Sequence, residues 1–445
     1  MTLLQVAQRL KHFDEEERTY TKEEALKEAN RCEQCKDAPC ENGCPLQVPI
    51  KTFIKAVQDE QFDRALQLIK KQNPFPKICG RACEVHRDCV KACKLKHPVQ
   101  IGKLERFVAE HGKNLSPEKI KKNKKKIAIV GAGPSGLSCA SFLSQKGYNI
   151  TVFEALPCKG GRLALRTPLY KLPRGIIDEE FKSVQANFRH SVAIGKTLHI
   201  KELQKGYDAI LLASGAGAPV IPSIEGVEKG NIFTAHDLLM RINHMNAHQV
   251  TEHQIPIGEK IVVWGGSETA VETARTLRRL GGEVTLIFEH DHHQMTANPE
   301  TLRKAKEEGL HFLLLTQIQK IKGGKDIESL ECVPLMSQMT PSGEAVLTPM
   351  EDSEFTLLCD QLYLATGQHS TPLMDPETRL RQTRTGKILV DEHLRTSEEG
   401  VFAGGEVSTG TSTLAGAMAD GKKAAEKIDL WMHKKLQNSD DEKTF

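Results

Sequence analysis

At 445 residues, the chain is long enough for about three domains of roughly 100–200 residues each and for a large buried core, which excludes a peptide hormone or a lone binding module. Hydrophobic residues make up 39% and charged residues 27%, as in an ordinary globular protein and not a disordered or fibrous one. The 61 basic and 58 acidic side chains cancel to +3, so no global field gathers nucleic acid or membrane phosphates.

In chain order, the first 25 residues carry Asp14-Glu15-Glu16-Glu17-Arg18 where a signal peptide needs an apolar core. Nowhere does a run approach the roughly 20 apolar residues that span a bilayer, so a cytoplasmic protein is expected. Eight of the 12 cysteines then crowd into residues 32–93. In a reducing compartment these are not a disulfide scaffold. The spacings Cys32-x2-Cys35-x4-Cys40-x3-Cys44-Pro45 and Cys79-x3-Cys83-x5-Cys89-x3-Cys93 supply enough thiolates for two metal centres of four ligands each. Zinc sites come as repeated C-x2-C knuckles, whereas irregular gaps and a proline after Cys44 favour iron–sulfur clusters. A zinc-stabilised helical scaffold acting as a regulatory subunit is the competing, non-enzymatic reading.

Between the two cysteine groups, Ile50, Phe53, Ile54 and Val57, then Phe62, Ala65, Leu66 and Ile69, follow the i, i+3, i+4, i+7 stripe of amphipathic helices. Asn73-Pro74-Phe75-Pro76 stops them. A helical cluster domain over 1–123 is expected, ending in the solvated linker Lys121-Lys122-Asn123-Lys124-Lys125-Lys126.

Residues 127–153 run strand, glycine loop, helix, strand. Gly131, Gly133 and Gly136 form a G-x-G-x-x-G loop that lets a pyrophosphate approach backbone N–H groups at a helix start, and Glu154 closes the second strand where an acid accepts ribose hydroxyls. These residues alone leave flavin and nicotinamide dinucleotides open. The pattern recurs over 260–288 with Gly265, Ser267 and Ala270 in the glycine positions. At Ser267 the Cβ holds phosphates off or the hydroxyl bonds them. Glu289 follows the next strand, where a carboxylate suits a free 2′-hydroxyl and repels a 2′-phosphate, so NADH is favoured over NADPH. Two βαβ units imply an α/β architecture of two nucleotide folds behind the helical domain.

Tyr207–Gly215, Asp360–Gly367 and Gly400–Glu406 are further strand-then-glycine segments. The order of Glu154, Gly160-Gly161-Arg162, Ala213-Ser214-Gly215, the second loop, Ala365-Thr366-Gly367 and Gly404-Gly405-Glu406 resembles the two-dinucleotide-binding-domain flavoproteins. That resemblance implies nested Rossmann-like domains: FAD over 124–251, NAD(P)H over 252–366 and the rest of the FAD domain over 367–445. It places Gly161, Arg162, Gly405 and Glu406 on FAD, with Glu406 where most members carry Asp. Ser412-Thr413-Leu414-Ala415 resembles the helix start whose positive end faces the flavin pyrimidine ring.

The cysteine segment, with Asn73-Pro74-Phe75-Pro76, Cys79-Gly80-Arg81-Ala82-Cys83 and Ile101–Phe107, is similar to the N-terminal domain of the glutamate synthase small subunit and of dihydropyrimidine dehydrogenase. The resemblance implies one 4Fe-4S cluster on Cys32, Cys35, Cys40 and Cys83, and another on Cys44, Cys89 and Cys93 with Glu105 as a non-cysteine ligand. Cys79 is left over, and a partition that uses it stays open. Cys139, Cys158, Cys332 and Cys359 form no C-x2-C or C-x4-C pair, which speaks against a disulfide reductase. His290-Asp291-His292-His293 reads as a solvated loop.

The parts imply hydride from NAD(P)H to FAD, then single electrons through the clusters to a separate oxidoreductase docked on residues 30–110. No side chain is expected to act as acid, base or nucleophile. A glutamate synthase large subunit or a pyrimidine-reducing subunit is the implied acceptor.

Overall fold

The computed structural model describes residues 3–113, 120–249, 255–339, 345–370, 375 and 377–441. The two stripes become helices Ile50–Gln58 and Phe62–Lys70, with Ile50, Phe53, Ile54, Val57, Ala65, Leu66 and Ile69 buried. Asn73 turns the chain by accepting the Phe75 N–H at 2.9 Å, and helices Pro76–Ala82 and Ile101–His111 complete the domain. A Cβ at Gly80 would lie 2.6–2.7 Å from Arg106 atoms, so these last two helices touch through their backbones. Phe53, Phe75 and Phe107 are fully buried, worth roughly 1.5–3 kcal/mol each.

Two five-stranded parallel sheets follow. The first runs Val401–Ala403, Ala209–Leu212, Lys126–Val130, Asn149–Phe153, Asn187–Arg189. The second runs Ile232–Thr234, Gln361–Leu364, Lys260–Trp264, Glu283–Phe288, His311–Leu314. In each, the strand that feeds a glycine loop is central. Val401–Ala403 returns to the first sheet after the second is complete, which is the nesting expected. The boundary expected at 251–252 lies outside the described residues. The second sheet nevertheless recruits Ile232–Thr234, upstream of that boundary, because an edge strand of three residues has no glycine loop to announce it.

The two crossings between the folds pair with each other, Gln368 against Pro219 and His369 against Ala218, in an antiparallel ribbon. An antiparallel sheet of Thr316–Lys322, Ser329–Met339, Ala345–Pro349 and Phe355–Leu358 flanks the second fold. The terminal helix Leu414–Asp441 packs along Pro134–Gln145, close enough that a Cβ at Gly421 would sit 2.1 Å from the Ser135 carbonyl oxygen.

An N-terminal strap joins the parts. Glu15 pairs with Arg81 at 2.7 Å and Arg106 at 3.0 Å in the cluster domain. The next residue, Glu16, pairs with Arg275 at 2.7 Å, Arg279 at 2.9 Å and Lys304 at 3.0 Å on the second nucleotide fold. Arg9 joins them through Glu307 and Glu308, and Arg279 lies 3.8 Å over the Tyr170 ring of the first fold. Among the described residues no helix is long and apolar enough to cross a membrane.

Candidate functional site

A cleft of about 410 Å³ opens at the carboxyl ends of the first sheet's strands, where ligands of open α/β sheets bind. A larger open hollow of about 610 Å³, bordered by Lys122, Lys126 and Asn149, lies at the opposite, amino ends of the strands and lacks that geometry.

Gly131, Gly133, Gly161, Gly405, Arg162, Glu154, Glu406 and Thr413 all border the cleft, so the first loop, the Gly160-Gly161 turn and the returning segment converge as expected. Gly131 has φ +108°, and a Cβ there would meet the Ala213 carbonyl oxygen at 2.3 Å; Gly136 is closed off by the Gly131 oxygen at 2.1 Å. Gly133 differs, since among the described residues, its chain neighbours aside, nothing lies within 4 Å of a Cβ built on it. The protein leaves that space to a ligand, and the middle position is where a pyrophosphate passes closest. This cradle fits a dinucleotide.

Glu154 is buried, and its two oxygens accept N–H bonds from Ala132 at 2.7 Å and Leu156 at 2.9 Å, which fixes the carboxylate at the cleft wall. Arg162 is ion-paired with Glu406, so the residue that replaces the usual Asp reaches across to the Gly161 turn. Burial, then the neighbouring Arg162 charge, pushes the Arg166 guanidinium down to about 9; its Nε donates to His236 Nδ1 at 3.2 Å. Thr413 caps the terminal helix by accepting the Gly416 N–H at 3.2 Å, and Leu414 N–H is taken at 3.1 Å by Glu84, a carboxyl raised by burial.

The second loop meets the cleft through the start of its helix. Ser267 is the N-cap residue, its hydroxyl accepting from Ala270 N–H at 3.3 Å, so the hydroxyl serves the helix. Gly265 has φ +147° with the Ala365 carbonyl oxygen 2.5 Å from a Cβ position. Glu289 follows the strand Glu283–Phe288, half-buried.

Sequence patterns gave no hint of Lys171, Glu268 and Glu272. The Lys171 side chain, 23% exposed, borders the cleft, and its Nζ sits 2.7 Å from Glu268 and 2.6 Å from Glu272, joining the two folds where they meet. Burial opposes the Glu268 charge, but Lys171, the Asn298 N–H and the Thr301 hydroxyl outweigh it and hold the carboxyl low. At Glu272 burial wins and pushes the carboxyl up. A lysine and a helical glutamate about 100 residues apart carry no motif, and only the domain packing brings them together.

The cysteines gather into two cavities. One is bordered by Cys32, Cys35, Cys40 and Cys93. The other is bordered by Cys44, Cys79, Cys83 and Cys89, with Glu105. The partition expected from resemblance is corrected at one exchange: Cys93 stands with the Cys32 group, and Cys83 stands with Cys44 and Cys89. The reason is the turn after helix Pro76–Ala82, which keeps Cys83 beside Cys79 while the loop 88–96 carries Cys93 across to Cys32. Among the described residues, no three His, Cys, Asp or Glu side chains close in as a single-ion site requires, so each group shares a cavity and not a point.

Burial pushes the Cys40 and Cys44 thiols up to about 11 each. Glu105 is buried among these thiols and among the described residues makes no ion pair; the Asn73 amide donates to it at 2.7 Å, and burial lifts it to about 7. Cys79 contacts the Met418 sulfur at 3.6 Å. Cys139, Cys158, Cys332 and Cys359 are buried, and among the described residues no cysteine borders the cleft.

Residues 9–116 match the family described as dihydropyrimidine dehydrogenase domain II, 4Fe-4S cluster, and residues 125–421 match pyridine nucleotide-disulphide oxidoreductase. The chain is 32% identical over 433 residues to the beta subunit of an NADP(+)-dependent formate dehydrogenase from Moorella thermoacetica, covering 89% of this chain but only 60% of that protein. It is 27% identical to the small chain of an NADPH glutamate synthase from Azospirillum brasilense, over 97% and 94% of the two chains. Likeness to the PreT subunit of an NAD-dependent dihydropyrimidine dehydrogenase from Escherichia coli O157:H7 is 28%, over 95% and 97%. Among solved structures, FprA from Mycobacterium tuberculosis (His57Gln mutant) superposes with a TM-score of 0.61 at 18% identity, over 71% of this chain and 86% of that one, a likeness of fold.

Proposed function

The chain belongs to the pyridine nucleotide-disulphide oxidoreductase family, with a 4Fe-4S domain ahead of it, and on that premise we propose that it takes hydride from NADH onto FAD and sends single electrons through two clusters to a separate acceptor, as a glutamate synthase small-chain type of subunit. One adjacency carries the reading. Glu84 and Leu414 border the cleft, while their chain neighbours Cys83 and Ala415 border the inner cysteine cavity. Two pairs of adjacent residues thus separate the flavin site from a thiol group.

Bound FAD supplies the conversion between two-electron and one-electron chemistry. The chain's own residues bind and orient. Gly131, Gly133 and Gly136 admit the FAD pyrophosphate to the helix start, and Glu154 offers its carboxylate to the ribose. Gly161, Arg162, Gly405, Glu406 and Thr413 would line the remainder of the FAD site, and the positive end of the helix that starts at Leu414, which borders the cleft, would favour negative charge on a reduced flavin. Lys171 and Glu272 border the same cleft where the two folds meet, and Gly265, Ser267, Ala270 and Glu289 would hold the second dinucleotide. The inner centre takes Cys44, Cys83, Cys89 and Glu105, a buried carboxylate with no ion pair among the described residues; the outer takes Cys32, Cys35, Cys40 and Cys93. Titration of anaerobic protein with NADH tests the whole scheme: flavin bands bleach and a reduced-cluster EPR signal grows, whereas colourless, zinc-bearing protein overturns it.

Ligand assignment has its own test. Cys83→Ala and Cys89→Ala are expected to erase the same EPR signal, Cys93→Ala the one lost in Cys32→Ala, and Cys79→Ala neither. Loss of a signal in Cys79→Ala would put that thiol on iron in place of Glu105.

A pyrimidine-reducing partner is the second reading, favoured by Glu289, whose carboxylate suits a free ribose hydroxyl as in an NADH-using subunit. Glu289→Arg is expected to move the kcat/KM ratio of NADPH over NADH upward by at least about tenfold, about 1.4 kcal/mol. An unchanged ratio would mean the 2′ position is read by other residues.

A further inference from the structure

The outer cysteine cavity shares no lining residue with the cleft, and the two loops that carry Cys35 and Cys93 are rich in charged side chains. Lys36 follows Cys35, while Lys91, Lys94 and Lys96 flank Cys93, and all four are exposed. Against these four cations stand two exposed carboxylates, Glu33 and Asp37. Asp37 is spent on Lys94 at 2.6 Å, both side chains 59% exposed, and this pair ties the loop of Cys35 to the loop of Cys93 beside the cavity that both cysteines border. Glu41 is turned inward, accepting the Lys51 backbone N–H at 2.9 Å. Among the described residues, Lys36, Lys91 and Lys96 make no ion pair. The whole chain is nearly neutral at +3, so this excess is local to the rim.

We propose that this lysine rim is the docking surface for an acidic patch on the electron-accepting protein. The proposal rests on reading the Cys32, Cys35, Cys40 and Cys93 group as the outer iron–sulfur centre. Rim charges left without partners raise encounter rates with an oppositely charged surface and orient it, and the solvated lysines lose little on pairing. One NADH yields NAD+, one proton and two electrons, which leave the outer centre singly, with no bond formed to the protein.

Native ferricytochrome c, which is basic, and its succinylated acidic form make a matched pair of acceptors, each haem taking one electron. The anaerobic full-length protein is first assayed for iron, acid-labile sulfide and bleaching by NADH. At low ionic strength the succinylated form is expected to be reduced at least about tenfold faster, the advantage collapsing towards one as the Debye length falls to about 3 Å near 1 M salt. The triple substitution Lys36→Glu, Lys91→Glu, Lys96→Glu is expected to reverse the preference while bleaching by NADH is unchanged. Iron-loaded, NADH-reducible protein that reduces the native form as fast or faster, or whose preference survives salt or the triple substitution, overturns the docking surface alone. Protein without iron overturns both this surface and the electron-transfer reading beneath it.

Discussion

Glu16→Ala is expected to destabilise the protein by about 3–5 kcal/mol, read as a lower unfolding midpoint in urea or on heating, because it strips the shared carboxylate from three buried cations. Glu16 is 4% exposed and touches Arg275, Arg279 and Lys304 within 3.0 Å. Without it, Arg279 retains Glu308, but Lys304 is left with Glu17 alone and the cluster carries an excess positive charge in a site closed to water. The same group sets an acid limit. Burial alone would raise the Glu16 carboxyl, yet Arg275 and Lys304 prevail and hold it at about 2. A carboxyl lowered on folding stabilises above its unfolded value of about 4.3 and loses that contribution as the pH falls towards 2. The wild-type protein should therefore lose stability across that window, and Glu16→Ala should lose less there. An equal acid slope in both proteins would remove Glu16 from the account.

Gly133→Val is expected to give a folded protein that purifies without flavin. Its backbone at φ −81° accepts any residue, and among the described residues, its chain neighbours aside, no atom lies within 4 Å of the missing Cβ. The substitution falls at the N-cap of the helix Pro134–Gln145, where Val is disfavoured relative to Gly, so it is expected to cost the apoprotein about 1 kcal/mol and leave it folded. It also fills the channel meant for the pyrophosphate, weakening FAD by at least about tenfold, or about 1.4 kcal/mol. Absorbance at the flavin bands and the unfolding midpoint of flavin-stripped protein are the two measurements. Full flavin content would mean that the pyrophosphate takes another route.

Periodicity and glycine spacing carried most of the architecture. The stripes at Ile50–Val57 and Phe62–Ile69 and the loops at Gly131 and Gly265 depend on neighbours a few residues away, so they are legible in one dimension. The edge strand Ile232–Thr234 is not, because three residues hold no period and its partner Gln361–Leu364 lies far along the chain. The cysteines show the same divide. Spacing announced eight thiolates in two bands, but the exchange of Cys83 and Cys93 depends on how helix Pro76–Ala82 and the loop after it fold back. Lys171 with Glu272, and Glu84 at the terminal helix, were invisible for the same reason: each pair is made by packing between distant segments. The family's name refers to disulfides, yet among the described residues no thiol borders the cleft, and Cys83 stands between the cleft-bordering Ala82 and Glu84 while bordering the inner cavity instead.

The ribbon that pairs Ala218–Pro219 with Gln368–His369 brings both ends of the inserted fold side by side, about 4.8 Å apart as neighbouring strands are. A segment that leaves and re-enters its host at one seam behaves as a cassette. Its exchange for another nucleotide-binding unit needs two splices at that seam, with the cations that Glu16 engages and the carboxylates that Lys171 engages retained, and the strand order of the host sheet need not be rethreaded. Coenzyme choice is in this way separable, in the covalent architecture, from the machinery that carries electrons onward.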